Sequence, residues 1–177
     1  MESLPLAGLN IVVTRPLEQA AQLQQRIEQL GGNAVMFPLL DISPPADTQA
    51  LRNLIARLSE FDLAIFISPN AVRYGMAEIM TSGRLPVGLR IATVGQGSAK
   101  ALRDAGIQDV IAPQDRSDSE ALLALPPLQD VRGWKVVIFR GDGGRELLGD
   151  TLKARGAEVE YATCYQRSKT QQNLSAL

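Results

Sequence analysis

Short apolar runs along the chain alternate with stretches in which apolar residues recur every three or four positions. Runs of the first kind predict buried β-strands, and the second spacing predicts amphipathic helices. Because the two kinds of element alternate, the sequence predicts an α/β fold with parallel sheets and right-handed crossovers. Strands are expected at residues 10–14, 34–42, 63–67, 90–94, 109–112, 135–139 and 159–165.

Capping residues mark the expected starts of two helices. Ser68 followed by Pro69 is typical of a helix that begins with a serine cap and a proline in its first turn. Ser117, with Glu120 three positions later, predicts a capping box before a helix at residues 121–125. Pro38 interrupts the second apolar run, which we therefore interpret as a strand followed by a connector.

The predicted elements form two groups of unequal size. Residues 46–160 supply a nearly complete five-strand unit, whereas residues 1–37 supply only a strand, a helix and a strand, which is too little to cover a sheet. We therefore predict two parallel-sheet domains joined by a two-stranded connector, with the first domain incomplete in a shortened chain. Its exposed strand edges favour self-association, and the oligomeric state is otherwise open. The predicted order is the N-terminal part of domain 1 at 1–37, a connector at 38–45, domain 2 at 46–160 and a return connector at 161–177.

Composition narrows the possible chemistry. Of 177 residues, 45% are hydrophobic, and 18 basic residues nearly balance 19 acidic ones, so neither disorder nor binding to nucleic acid or a membrane is expected. Histidine is absent and Cys164 is the only cysteine, which excludes histidine-dependent nucleophiles, histidine metal sites and internal disulfides. Residues 1–8 lack a signal-peptide pattern and no apolar run could span a membrane, so we expect a cytoplasmic protein without a metal.

Candidate ligand-binding residues lie in four loops that follow strands, at the edge where open α/β sheets bind ligands. Ordinary turn chemistry would explain any one of these loops alone, but together they predict a site for a polyanionic small molecule. Guanidinium groups would bind carboxylates directly, while glycines allow the backbone to approach and short polar side chains add hydrogen bonds. The candidates are Arg15, Ser68, Asn70, Gly95, Ser98, Arg140, Gly143, Gly144 and Arg145.

The last predicted strand carries the candidate proton donor. Tyr161, Thr163 and Tyr165 alternate there and should share one face. Most tyrosines at this spacing simply pack, yet a phenol stays protonated at neutral pH and can donate to a leaving oxygen. Cys164 is expected to be a buried, unreactive thiol.

Six segments, in order along the chain, resemble the uroporphyrinogen-III synthase family: residues 12–16, 37–40, 66–72, 94–102, 140–146 and 165–167. The resemblance implies two α/β domains and a cofactor-free lyase of tetrapyrrole (haem, sirohaem) biosynthesis. This enzyme closes hydroxymethylbilane, with inversion of its terminal pyrrole ring, to uroporphyrinogen III. It also implies that Tyr165 assists departure of the substrate hydroxyl, while Ser68, Ser98 and nearby amides hold carboxylates. Family members continue past Leu177, and the resemblance leaves open whether the shortened chain is active.

Two functions of other classes compete with this one. A two-domain module could clamp an anionic metabolite without chemistry. A nucleotide-binding oxidoreductase is the other, but Gly141, Gly143 and Gly144 lack the Gly-x-Gly-x-x-Gly spacing, and the loop containing Gly95 and Gly97 lacks the third glycine.

Overall fold

The computed structural model describes residues 4–170, so residues 171–177 of the predicted return connector lie outside the described range. Its strands are β1 Asn10–Val13, β2 Asn33–Met36, β3 Leu40–Ser43, β4 Leu63–Phe66, β5 Arg90–Thr93, β6 Val110–Ile111, β7 Lys135–Gly141 and β8 Glu158–Lys169. Its α-helices are α1 Ala21–Gln29, α2 Gln49–Ala56, α3 Pro69–Ser82, α4 Gln96–Asp104, α5 Ser119–Leu123 and α6 Leu147–Ala154. None of these helices is long and apolar enough to cross a membrane.

The strands form two sheets. A two-stranded sheet pairs β1 with β2 in parallel, and a six-stranded sheet has the order β3-β8-β7-β4-β5-β6. In the second sheet β4 pairs in parallel with both β5 and β7, while β7 pairs in parallel with β8. The predicted α/β class with mainly parallel sheets is confirmed.

The apolar run at residues 34–42 divides into two strands that belong to different sheets. Proline has no amide hydrogen, so Pro38 ends the first ladder after β2. The residues expected to form only a connector continue as β3, which is a neighbour of β8.

Within the described residues the chain divides into two units. One comprises residues 4–43 and 167–170, and the other is Pro44–Gln166. In the first unit α1 packs on the two-stranded sheet around the buried side chains of Val13, Ala20 and Ile27. This small core is built from a single β-α-β step.

The second unit has a more extensive core centred on β4, whose four residues are all buried. The rings of Phe66 and Phe139 stack across the β4–β7 pair with centroids 4.5 Å apart. Helix α3 lies close to this pair at Gly75, where an added Cβ would be 2.9 Å from the Phe139 ring. This packing fixes the strand ends that carry the candidate site.

One of the two predicted helix caps is confirmed and the other is wrong. The Ser68 hydroxyl accepts a hydrogen bond from the Ala71 amide at 3.0 Å, as expected for the start of α3. Helix α5 instead begins at Ser119, and its cap is Asp118, whose carboxylate accepts from the Ala121 amide at 2.7 Å. A carboxylate is a stronger acceptor than a hydroxyl, and it favours the positive end of a helix.

Candidate active site

Three loops of the second unit emerge from the carboxyl ends of β4, β5 and β7. Phe66 at the end of β4 is in register with Thr93 of β5 and with Phe139 of β7. Because all three strands run in parallel, the segments that follow them lie along one edge of the sheet. Open α/β sheets bind ligands at this edge.

A cavity of about 330 Å³ lies between the loops after β4 and β5, and we call it the serine cavity. It brings together three predicted residues, Ser68, Gly95 and Ser98. A Cβ on Gly95 would lie 2.5 Å from the Ser117 hydroxyl, so only glycine fits there. Asn70 is in the first turn of α3 and follows Pro69, which lines the cavity. The lining residues are Ile67, Ser68, Pro69, Val94, Gly95, Gly97, Ser98 and Ser117.

The loop after β7 folds around the side chain of Arg140. Gly143 and Gly144 have φ values of 71° and 133°, which favour glycine, and a Cβ on Gly144 would lie 3.0 Å from an Arg140 nitrogen. The Arg140 guanidinium donates to Glu146 at 2.9 Å, and its carbon lies 4.8 Å from the ring centroid of Tyr161. Arg140 is therefore a buried, oriented cation rather than a mobile surface group.

The Arg145 side chain is much more exposed than that of Arg140. It is 81% exposed, and it forms an ion pair with Glu120 at a nitrogen–oxygen distance of 4.0 Å. Of these two predicted arginines, one is therefore a buried cation and the other an exposed one.

A β-bulge changes the direction of the side chains at the end of β8. Arg140 is opposite Thr163, but Gly141 is opposite Tyr165, so β8 contains one extra residue. The predicted common face of Tyr161, Thr163 and Tyr165 is therefore wrong, because Thr163 is exposed whereas Tyr165 is only 1% exposed.

Tyr165 packs against the last residue of β7 and forms a hydrogen bond with the loop after β4. Its hydroxyl is 3.2 Å from the Ser68 hydroxyl, which itself lines the serine cavity. A Cβ on Gly141 would lie 2.6 Å from the Tyr165 ring, so this glycine is needed for close packing. The geometry couples the candidate proton donor to a serine that is accessible from the cavity.

A second cavity, of about 280 Å³, adjoins the first, and we call it the Arg140 cavity. Sequence reasoning did not identify it, because Tyr161 was interpreted as a packing residue and Ser117 as a cap. In the structure, Gly149 marks the position of Tyr161, because a Cβ at Gly149 would collide with the Tyr161 hydroxyl. A glycine in the sequence of α6 does not by itself indicate this contact. Its lining residues are Ile67, Val94, Ser117, Asp118, Ser119, Ile138, Arg140, Arg145, Leu148 and Tyr161.

The remaining sequence candidates have simpler surroundings. Arg15 follows β1 in the first unit, and its side chain is exposed. Cys164 is 1% exposed, and burial raises the pKa of its thiol to about 12, as an unreactive cysteine requires. Within residues 4–170, no group of three or more His, Cys, Asp or Glu side chains has an arrangement suited to a metal.

Comparisons with known proteins agree with one another. Residues 21–177 match the family model described as uroporphyrinogen-III synthase HemD. The chain is 42% identical over 160 residues to the uroporphyrinogen-III synthase of Salmonella typhimurium and 41% identical over 163 residues to that of Escherichia coli, covering 90% of this chain each time. It spans 65% of the length of each of those proteins.

A solved structure supports the fold independently. A mutant uroporphyrinogen III synthase of Thermus thermophilus superposes with a TM-score of 0.69 at 20% identity, covering 92% of this chain and 64% of that one. At this identity the match supports the fold, while the family model and the closer relatives support the assignment. The chain belongs to the uroporphyrinogen-III synthase family.

Proposed function

We propose that these residues contribute to the uroporphyrinogen-III synthase reaction, in which hydroxymethylbilane closes with inversion of its terminal pyrrole ring. The observation that carries this proposal is the 42% identity, over 90% of the chain, with the Salmonella typhimurium uroporphyrinogen-III synthase. The linear substrate bears carboxylate side chains and also closes spontaneously without inversion. An enzyme for it must mainly hold one folded form of the substrate.

The substrate carboxylates would be bound by individual side chains and amides of the site. The net charge of the chain is −1, so the protein as a whole does not attract anions. Ser68 and Ser98 line one cavity, and they lie at the starts of α3 and α4 respectively. Helix starts favour anions through their free amides. The other groups assigned to substrate binding are Arg15, Asn70, Gly95, Arg140, Gly143, Gly144 and Arg145.

Tyr165 is assigned the role of proton donor to the departing hydroxyl, with Ser68 as the intermediate. The 3.2 Å distance between the two hydroxyls and the position of Ser68 in the cavity lining support this assignment. Ser68 would give its proton to the leaving oxygen and receive one from Tyr165, so that water departs while the pyrrole supplies the electrons. Because Tyr165 itself is 1% exposed, a relay fits better than direct contact.

The proposal includes the two-domain arrangement implied by the family. Residues 1–37 would be the N-terminal part of domain 1, residues 46–160 would form domain 2, and residues 38–45 and 161–177 would be the connectors. The separate two-stranded sheet and the unit boundaries after Ser43 and Gln166 support this division.

Turnover of hydroxymethylbilane tests the proposal. The products are oxidised to porphyrins, and the I and III isomers are separated by chromatography. The chain should form isomer III above the spontaneous background, and Tyr165→Phe should lower kcat by roughly 10²–10⁴-fold. Tyr74→Phe is a matched control outside both cavity linings, because it removes a hydroxyl but keeps the ring that stacks against Tyr165 with centroids 6.1 Å apart, and it should retain the parental rate.

Two results would overturn parts of this proposal. A chain that binds uroporphyrinogen III but forms only isomer I would be a ligand-binding module rather than an enzyme. A Tyr165→Phe rate within about twofold of the parent would remove tyrosine from the mechanism and leave the amides as the main agents.

A further inference from the structure

The Tyr161 hydroxyl is an unusual feature of the Arg140 cavity. It is buried and forms no hydrogen bond of normal geometry within residues 4–170, and the acceptor that acts on it is the Glu146 carboxylate, which also accepts from Arg140. Buried polar groups almost always have a partner, and one in a cavity lining that lacks a normal hydrogen bond suggests that a ligand supplies it. Burial, together with the nearby Glu146 carboxylate, raises the pKa of Tyr161 to about 12. The hydroxyl therefore stays protonated and is available as a donor.

Arg140 provides a cation at the same end of the cavity. Its side chain is 7% exposed, and it donates one hydrogen bond to Glu146 while its guanidinium lies over the Tyr161 ring. A guanidinium has five N–H donors, so this single bond leaves most of its capacity for a ligand. Glu146 is 54% exposed and can turn towards solvent when another carboxylate arrives.

Three carboxylates lie near this cavity, on Asp118, Glu146 and Asp150. Cations act on two of them: Arg140 and Lys153 on Glu146, and Arg145 on Asp118. Asp118 is held by the Ala121 amide and by Arg116 at 2.7 Å, so its charge is already compensated. Arg145 is exposed, and its ion pair with Glu120 is long, at 4.0 Å. An entering carboxylate would thus meet one buried and one exposed cation.

The rest of the lining is apolar and would accept a ring or a short hydrocarbon chain. Ile67, Ile138 and Leu148 supply much of this surface. The volume of about 280 Å³ is just below the range of about 300–1,000 Å³ for complete ligand pockets. It therefore suits one arm of a larger molecule that also occupies the adjoining serine cavity, with which it shares Ile67, Val94 and Ser117.

We propose that the Arg140 cavity is a carboxylate subsite, in which Tyr161 and Arg140 donate hydrogen bonds to a carboxylate carried on an apolar ring or chain. The identification of that group as one arm of a polycarboxylate tetrapyrrole rests on the proposed function. Occupancy of the cavity itself does not depend on turnover, so the two can be tested separately.

Titration of the full chain with 3-phenylpropanoate, a carboxylate on an apolar ring, tests the subsite. Methyl NMR signals of Ile67, Ile138 and Leu148 should shift, and the neutral amide analogue should bind at least about tenfold more weakly. Tyr161→Phe should weaken binding about tenfold without lowering Tm, because the hydroxyl it removes forms no hydrogen bond of normal geometry in the free protein. Tyr74→Phe serves as the matched control and should bind like the parent.

Three results would overturn the subsite: equal affinity for acid and amide, shifts confined to methyl groups outside the cavity, or parental affinity in Tyr161→Phe. A lower Tm in Tyr161→Phe would also count against it, because the hydroxyl would then have a structural role. Binding with the expected pattern but without formation of isomer III would retain the subsite and reject the proposed reaction. Formation of isomer III without such binding would support the proposed reaction and reject the subsite.

Discussion

The two units share a strand-and-helix pattern but bury it to very different extents. In the second unit every residue of β4 is buried, because the strand has a neighbour on each side and helices pack against the sheet. In the first unit Val13 is the only buried residue of β1, and the adjacent Val12 is 46% exposed. The apolar pattern therefore determines which elements form, whereas the number of neighbouring strands determines how much of that pattern is buried.

Because more of its large apolar residues are exposed, the first unit also gains less free energy from burial than the second. Burial contributes about 25 cal/mol per Å² of apolar surface, so a side chain left half exposed contributes correspondingly less. Regions with few buried contacts also open at lower free energy than a continuous core. We expect the first unit to open before the second. Its exposed large residues are Leu4, Leu9, Val12, Leu17, Leu23, Leu39 and Leu40.

The largest expected effect is on the labelling rate of the Cys164 thiol, which reports opening of the second unit. It is the only cysteine, and burial raises its pKa from 9.0 to about 12. Only the thiolate reacts, and three pKa units correspond to about a 10³-fold smaller thiolate fraction. Labelling with a disulfide reagent at pH 8 should therefore be at least about 10³-fold slower in the native protein than in urea. Ile27→Ala, which loosens only the first unit, should leave the native rate unchanged, and a faster rate would contradict separate opening.

The same thiol makes stability depend on pH in a defined window. Well below pH 9 the thiol is protonated in both states and adds no pH dependence. Between pH 9 and about 12 the unfolded chain loses its proton while the folded protein retains it, so stability falls as pH rises. Urea unfolding of Cys164→Ala over this range should show a smaller alkaline loss than the parent. Identical slopes would mean that the thiol titrates normally in the folded protein.

Core substitutions in the two units should affect different unfolding transitions. Phe139→Ala removes one ring of the Phe66–Phe139 stack and should cost about 3–5 kcal/mol. Ile27→Ala removes a residue of the small core and should cost about 2 kcal/mol, the low end for such changes. Urea unfolding followed by circular dichroism should show the first change in the later transition and the second in the earlier one. A single transition that both variants shift would show that the units unfold together.

Within the second unit, close packing extends to the candidate site and can be tested at Gly141. An alanine methyl there would lie 2.6 Å from the Tyr165 ring, so Gly141→Ala should displace the ring from Ser68 and cost about 1–3 kcal/mol. Gly97→Ala is the control, since its methyl would lie 3.8 Å from Pro69, and alanine favours the helix. Thermal unfolding should separate the two variants, and equal Tm values would imply that the end of β7 shifts without cost to accommodate the methyl group.

The sequence was sufficient for the elements and their class because both depend on local spacing. It predicted β4 and the Ser68 cap, since a buried run followed by Ser-Pro leaves few alternatives. It did not predict that residues 40–43 extend the larger sheet as β3, because strand pairing depends on residues more than 100 positions away. Periodicity alone cannot show which strand lies beside which.

The candidate site was predicted in part for similar reasons. Glycine and serine in loops after strands correctly pointed to the serine cavity. The Arg140 cavity was not predicted, because the sequence pattern favours packing for Tyr161 and capping for Ser117. The burial of Tyr165 was not predicted, because one extra residue in β8 reverses the alternation after Thr163. A bulge is set by the geometry of the paired strands, and the pattern of β8 by itself carries no sign of it.

The smallest expected effect on stability comes from removing a helix cap, since the two units differ in how their helices begin. Helix α1 of the first unit has Ala20 at its N-cap position and no side-chain cap, whereas in α5 of the second unit the Asp118 carboxylate accepts from the Ala121 amide. Asp118→Ala should lower Tm by about 2–4 °C, the usual effect of losing one cap in a chain of this size. Ser117→Ala keeps the Cβ packed against Gly95 and should change Tm by less than that. If Ser117→Ala has the larger effect in differential scanning calorimetry, the capping box read from the sequence operates in solution, and Asp118 serves mainly to hold Arg116.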